Sequence, residues 1–267
     1  MTRFASPVTA AIVCKNEAEL IGACLDSVDF CAEIVVVDSG STDGTLDIVE
    51  RYRAEGFPIK LLHQDWLGYG PQKQFALDHA TQPWRLIIDA DEQVDAGLKR
   101  AIMATVEADD PRFNAWYIRR CDWLTGYGHA HPWVLHNRIL RLLRAGKSHI
   151  DPANSAIHEA FLIDGRRGYI KRGLLLHMRD LLLEDDVARA NRYSTDKSMV
   201  QRAQGRKASG FRLFFSPPFT FFKFYVLKRY FLCGRPGFIY AMMMMFYSFL
   251  TEAKSYRASL DVNGKDG

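Results

Sequence analysis

Arg85-Leu-Ile-Ile-Asp89-Ala-Asp91-Glu92 is an aliphatic run that leads into an Asp-x-Asp pair and a third carboxylate. The run reads as a buried strand, and the carboxylates stand where that strand should end. On an extended backbone side-chain direction repeats every two residues, so Asp89 and Asp91 are expected to face the same way. Two anionic groups facing one way repel unless a cation lies between them. A hard divalent ion shared with substrate phosphates meets that need. Open α/β sheets bind ligands at the carboxyl ends of their strands, so the position of the pair matters as much as its composition.

Working outward, apolar runs at 8–14, 34–38 and 59–62 read as further strands. Helical spacing predicts helices over 18–27, 45–53 and 72–80, and Ser39-Gly-Ser-Thr-Asp-Gly44 reads as a turn. This alternation predicts an α/β fold with a mostly parallel central sheet and helices on both faces. Right-handed crossovers would bring the carboxyl ends of the strands to one edge, so residues 14–17, 38–43 and 89–91 should converge. Beyond Asp110-Pro111 the pattern loosens. Strands are expected at 115–121 and 139–143, a polar helix at 181–202, and a basic, aromatic helical extension after Ser209.

At 267 residues, 48% apolar and 25% charged, the chain suits one large folded domain with an appendage. The organisation expected is a catalytic domain over 1–205, with a nucleotide-binding half at about 6–110 and an acceptor half at 111–205, followed by an extension over 206–267. The five cysteines are odd in number and show no CxxC spacing, which predicts reduced thiols in a cytoplasmic setting. The apolar run at 8–14 is too short for a signal peptide, and the one at 237–250 is too short to span a bilayer as a helix. No complementary ligand pair at zinc spacing accompanies His129, His131 and His136.

With these segments assembled, the sequence resembles family 2 (GT-A fold) glycosyltransferases. The resemblance rests on Val13-Cys-Lys-Asn16-Glu-Ala-Glu-Leu20, Val35-Val-Val-Asp38-Ser-Gly-Ser41-Thr-Asp43-Gly44 and Ile88-Asp89-Ala-Asp91-Glu92, in that order. Gly68-Tyr-Gly70-Pro-Gln-Lys73-Gln, Ile157-His158-Glu159 and His177 make it similar, more narrowly, to bacterial lipopolysaccharide-core β-glucosyltransferases.

That resemblance implies a metal-dependent, inverting transfer of a sugar from a nucleotide-sugar donor, here UDP-glucose, to a lipopolysaccharide inner-core acceptor. Asn16, Glu17 and Asp38 would line the nucleotide, with a helix cap at the first two and an Asx turn or a cap of the 45–53 helix at Asp38 as competing readings. Asp43 suits a cap. Lys73, in a Gly-rich turn entering a helix, would meet the pyrophosphate. Asp91 would ligate Mg2+ or Mn2+, Asp89 would contact ribose or a metal-bound water, and Glu92 reads as a supporting or cap residue. His177 would reach the metal or diphosphate, against the reading of a satisfied core histidine. Glu159 is the expected base, with His158 positioning it or contacting phosphate and Asp151 as an alternative base.

Between Val200 and Arg257 ten Lys/Arg face one acid, Glu252, and they are interleaved with Phe and Tyr. Such a surface suits anionic lipid, and no recognised nucleic-acid module accompanies it. The expected partners are therefore a donor, a lipid-anchored glycan and a membrane surface, with no nucleic acid. The expected location is cytoplasmic, peripheral to the inner face of the inner membrane. Alternatives are another donor with a polyprenyl-phosphate or polysaccharide acceptor, or a non-catalytic membrane-surface protein on the same fold. A nucleotidyltransferase is disfavoured by Cys14-Lys-Asn-Glu17, where that class carries a Gly-rich loop.

Overall fold

The computed structural model describes residues 3–151, 161–180 and 182–263. Its first half is built on β1 (Ser6–Cys14), β2 (Cys31–Asp38), β3 (Ile59–His63) and β4 (Trp84–Asp89). These four pair in parallel in the order β3-β2-β1-β4. Register places Cys14 beside Asp38, Asp38 beside His63 and Val13 beside Asp89, so the carboxyl ends lie level. The expected convergence of 14–17, 38–43 and 89–91 is found.

Both faces of these strands are covered, which is why they read as near-continuous apolar runs. Ala10, Ile12, Ile34, Val36, Leu86 and Ile88 pack on one side with residues of α1 (Ile21–Ser27), α2 (Thr45–Ala54) and α4 (Ala96–Ala108). Ala11, Val35, Val37 and Ile87 pack on the other with Ala76 and Leu77 of α3 (Tyr69–Asp78). Successive residues of each strand thus feed opposite layers, as a period of two requires.

The sheet continues through β8 (Asn137–Arg144), antiparallel to β4, and β6 (Phe113–Leu124), antiparallel to β8. Next comes β12 (Leu175–His177), parallel to β6 and antiparallel to β5 (Glu92–Val94). β11 (Arg166–Tyr169) also pairs with β6, β7 (Gly128–His129) pairs with its last two residues, and β9 (Ser148–Ile150) pairs with β10 (Phe161–Ile163).

Two helix starts differ from expectation. Residues 17–20 form a turn in which Leu20 and Ile21 N–H donate to the Glu17 carbonyl, so α1 begins only at Ile21. α3 begins at Tyr69, three residues earlier than the periodicity predicts, after Gly68 at φ 102°. Pro71 is accommodated because the first turn of a helix leaves its N–H groups without intrahelical partners. Lys73 therefore lies within the helix, not in a turn leading into it.

The described residues cluster into two compact units, Met1–Asp122 with Asn137–Met178, and Trp123–His136 with Arg179–Gly267. The second contains α5 (Leu183–Ala203), α6 (Gly210–Phe222) and α7 (Gly234–Asn263). Within it Lys254 Nζ on α7 donates to Asn191, Ser194 and Thr195 on α5, and Glu252 pairs with Arg206 and Arg212. Among the described residues no helix is long and apolar enough to cross a membrane.

Candidate active site at the carboxyl edge of the sheet

At the end of β2 the Asp38 carboxylate is 2% exposed and accepts from the Gly40 and Ser41 N–H groups and the Ser41 hydroxyl. Asp38 thus forms the Asx turn that had stood as its competing reading. Asp43 accepts from Thr45 N–H, the Thr45 hydroxyl and Ala18 N–H, which hold its carboxyl below its ordinary value. Asn16, in the left-handed region at φ 55°, accepts from Thr42 N–H while its own N–H donates to Ser41 Oγ. Glu17 N–H donates to Thr45 Oγ1. Buried Gln72 on α3 donates to Ser39 Oγ at 2.9 Å, which ties the helix to the same turn. The β1 and β2 ends become one cross-linked corner, with Asn16, Glu17 and Asp38 brought together.

The Asp-x-Asp pair is not extended. β4 stops at Asp89, Ala90 and Asp91 turn, and β5 begins at Glu92. The two carboxylates accordingly meet different partners. Asp89 Oδ1 lies 2.5 Å from Lys73 Nζ, and its Oδ2 lies 2.9 Å from Arg141 on β8. Burial pushes the Asp89 carboxyl up, but Lys73 and Arg141 outweigh it and hold it well below the usual carboxylate range. Arg141 also reaches Glu92 Oε1 at 3.1 Å, while Glu92 Oε2 accepts from the Asp89 N–H at 3.1 Å. Fully buried Glu92 is raised by burial, which Arg141 only partly offsets, and the Asp89 charge adds to the rise.

Asp91 faces the other way. β12, held between β5 and β6, sets His177 opposite Glu92 and Asp122 in register. His177 Nε2 lies 3.3 Å from Asp91 Oδ2 and its Nδ1 lies 3.9 Å from Asp122 Oδ1. Arg120 holds Asp122 at 3.1 Å and stands 3.8 Å from Glu92. Met178 N–H donates to the Asp91 carbonyl at 2.8 Å, which fixes the turn from the backbone side.

Among the described residues no set of three His, Cys, Asp or Glu side chains gathers as a closed metal cage. Asp91 and His177 nonetheless suit a substrate-completed ion. Adjacent ligands of an octahedral ion with bonds of about 2.1 Å stand roughly 3 Å apart, close to their separation. Their donors are a carboxylate oxygen, which Mg2+ and Mn2+ both take, and an imidazole nitrogen, which suits Mn2+ better than the oxygen-preferring Mg2+, and substrate phosphates commonly supply the remaining positions. Asp89 does not fit a ligand role, because each of its oxygens already faces a fixed cation.

Arg141, Arg120 and Asp122 had no place in the sequence reading. The signal for Arg141 was a cation amid Ile139, Leu140, Leu142 and Leu143, because a charge inside an apolar strand requires a buried counter-ion. His158 and Glu159 lie outside the described residues. Asp151, the alternative base, directly follows β9 and is half-buried.

The model for the glycosyl transferase family 2 matches residues 9–172. The lipopolysaccharide core biosynthesis glycosyltransferase LpsC of Rhizobium meliloti is 40% identical over 251 residues, 94% of this chain and 92% of its own. An uncharacterized glycosyltransferase of Rickettsia felis is 31% identical over 92% of this chain and 88% of its own. Among solved structures, the mannosyltransferase PcManGT from Pyrobaculum calidifontis, in complex with GDP-Man and Mn2+, matches with a TM-score of 0.58. It covers 94% of this chain and 87% of its own at 16% identity, a likeness that speaks to the fold. The fold is the α/β GT-A fold of nucleotide-sugar transferases. The chain belongs to glycosyl transferase family 2 and is a glycosyltransferase.

Proposed function

We propose that this enzyme transfers glucose from UDP-glucose, with inversion, to an inner-core sugar of lipopolysaccharide at a membrane surface. The observation that carries the reading is the division of labour between two neighbouring aspartates. Asp89 is locked between Lys73 and Arg141, whereas Asp91, 7% exposed, lies against His177, whose other ring nitrogen reaches Asp122. Support for the acceptor comes from the Rhizobium meliloti relative, a glycosyltransferase of lipopolysaccharide core biosynthesis. Support for the donor comes from the resemblance of segments 68–74 and 157–159 to β-glucosyltransferases.

Asp91 and His177 would hold Mg2+ or Mn2+, which when bound offsets the charge of the departing diphosphate. Asn16, Glu17 and the Asp38 turn form the wall for uracil and ribose. Asp89, its side chain 28% exposed and its oxygens held still, accepts from a ribose hydroxyl, while Lys73 keeps it charged and adds positive potential near the pyrophosphate. Glu159, with its sequence neighbour His158, is assigned as the base that takes the proton of the acceptor hydroxyl as that oxygen attacks in line.

Residues 206–267 serve as the membrane-associating extension in this reading. Phe211, Phe214, Phe215, Phe219 and Phe222 recur along α6 at intervals of three and four and are exposed, Phe214 at 75%. Arg212, Lys223 and Lys228 accompany them. An apolar stripe with cations at its flanks suits the interface of an anionic leaflet, here the cytoplasmic face of the inner membrane.

The direct test is transfer of radiolabelled glucose from UDP-glucose to core-truncated lipopolysaccharide. Wild-type protein should label it, and Glu159→Gln should bind UDP-glucose as wild type does yet transfer at least about 100-fold more slowly. Full turnover by Glu159→Gln would move the base elsewhere, and labelling only from another sugar nucleotide would overturn the donor.

A further inference from the structure

The first unit carries a second concentration of chemistry that the donor site does not use. β11 continues into Arg166-Arg-Gly-Tyr-Ile-Lys171, and on an extended chain Arg167, Tyr169 and Lys171 share one face. Pairing with β6 sets Tyr169 beside Tyr117 and Gly168 beside Trp116. Together with Arg138 of β8 these residues and Phe113 line an open cleft of about 650 Å3.

The cleft wall is built to a tight fit. A Cβ on Gly168 would fall 2.3 Å from the Trp116 ring, so only glycine lets the indole lie across β11. Phe113 meets the same ring at 4.9 Å between centroids. Arg138 stacks over Tyr169 at 4.3 Å, and Arg167 donates to the Tyr117 hydroxyl at 3.2 Å. These contacts fix both guanidinium groups without neutralising them. Among the described residues Arg138, Arg167 and Lys171 have no carboxylate partner, and the lining contains no acid. The buried Trp116 Nε1 also has no hydrogen-bond partner among the described residues. Three uncompensated cations call for acceptor oxygens, and the aromatic side chains of the lining call for a ligand with a C–H-bearing surface. Guanidinium groups bind phosphate and carboxylate in a forked geometry, and the electron-rich face of an aromatic ring attracts the weakly positive C–H groups of a pyranose.

We propose that Arg138, Arg167 and Lys171, set around Trp116, Tyr117 and Tyr169, form a separate subsite for an anionic sugar, a pyranose bearing a phosphate or carboxylate. As a place for the acceptor glycan the subsite rests on the glycosyl-transfer reading above. As an anionic-sugar site it stands on the cleft's own residues.

The test uses the full chain labelled with 15N at its tryptophan indoles, with the Trp116 signal assigned through Trp116→Phe. Glucose 6-phosphate and glucuronate should shift the Trp116 signal saturably, and both glucose and inorganic phosphate should bind at least about tenfold more weakly. Arg167→Ala/Lys171→Ala, which changes two exposed side chains, should weaken glucose 6-phosphate binding about tenfold or more and leave UDP binding as in wild type. A Trp116 signal unmoved by glucose 6-phosphate overturns the proposal. An equal response to inorganic phosphate overturns it too, because the cleft would then bind anions without reading the sugar. Displacement of glucose 6-phosphate by UDP would assign the cleft to the donor and also overturn it. Failure of UDP to bind anywhere would strike the donor reading instead, while a saturable glucose 6-phosphate response would still uphold the subsite.

Discussion

Arg141 holds the buried Glu92 and the half-buried Asp89 carboxylates at once, so its loss should cost more than any surface charge. Arg141→Met leaves Asp89 with Lys73 alone and buried Glu92 with only the more distant Arg120. A loss of about 3–5 kcal/mol in urea unfolding is expected, because removing one partner strands buried charge. Adding Glu92→Gln should recover part of it, and a cost below about 1 kcal/mol would show that Arg141 does not hold the cluster. The cysteines give a second prediction. Cys14, Cys24, Cys31, Cys121 and Cys233 are free and buried, and burial raises the thiols of Cys24 and Cys31 well above their ordinary value. The native protein at pH 8 should react slowly with a disulfide reagent and should expose five thiols when unfolded. Above about pH 8.5 the unfolded chain releases thiol protons that the folded chain retains, so stability should fall as pH rises further. A stability that is flat or rising from pH 8.5 to 10 would contradict the burial. At this scale the placement of Asp89 and Asp91 where a strand ends was legible, because carboxylates that follow an aliphatic run are unusual. Arg120 and Asp122 were not, because alternating charges on β6 look the same whether they face water or a neighbour.

The short elements decide where His177 points. β5 and β12 have three residues each, too few to show a period, and neither could be read from sequence. The long parallel strands were legible because burial on both faces leaves an uninterrupted apolar run. The extended geometry inferred for Asp-x-Asp failed for the same reason that β5 was invisible: the chain turns at Ala90 to begin a new strand. Gly173 anchors β12 against α4. It adopts φ 76°, and a Cβ there would lie 1.9 Å from Leu98 N, where backbone cannot yield cheaply. Gly173→Ala should destabilise by about 3 kcal/mol or more and weaken metal-assisted nucleotide binding through displaced His177. A stability within about 0.5 kcal/mol of wild type would show that the loop relaxes freely.

At the scale of the whole molecule the parallel sheet concentrates the chemistry at one edge of the first unit, and α6 gives the second unit an exposed aromatic stripe. The basic-aromatic composition after Ser209 was legible, but the stripe needed the structure, since buried and exposed phenylalanines look alike in sequence. Phe211→Ser/Phe214→Ser/Phe215→Ser/Phe219→Ser should cut co-sedimentation with phosphatidylglycerol vesicles at least about tenfold while UDP binding stays at wild-type strength. Undiminished co-sedimentation would remove the membrane role from α6. The central claim is that Asp91, and not Asp89, presents the site to a metal-bound nucleotide. It is tested most directly by calorimetric titration of wild-type and Asp91→Asn protein with UDP, ADP and GDP, with and without Mn2+. Wild type should bind UDP selectively and more tightly with Mn2+, and Asp91→Asn should lose the Mn2+ dependence. An Asp91→Asn protein whose UDP affinity still rises with Mn2+ as in wild type would contradict the account.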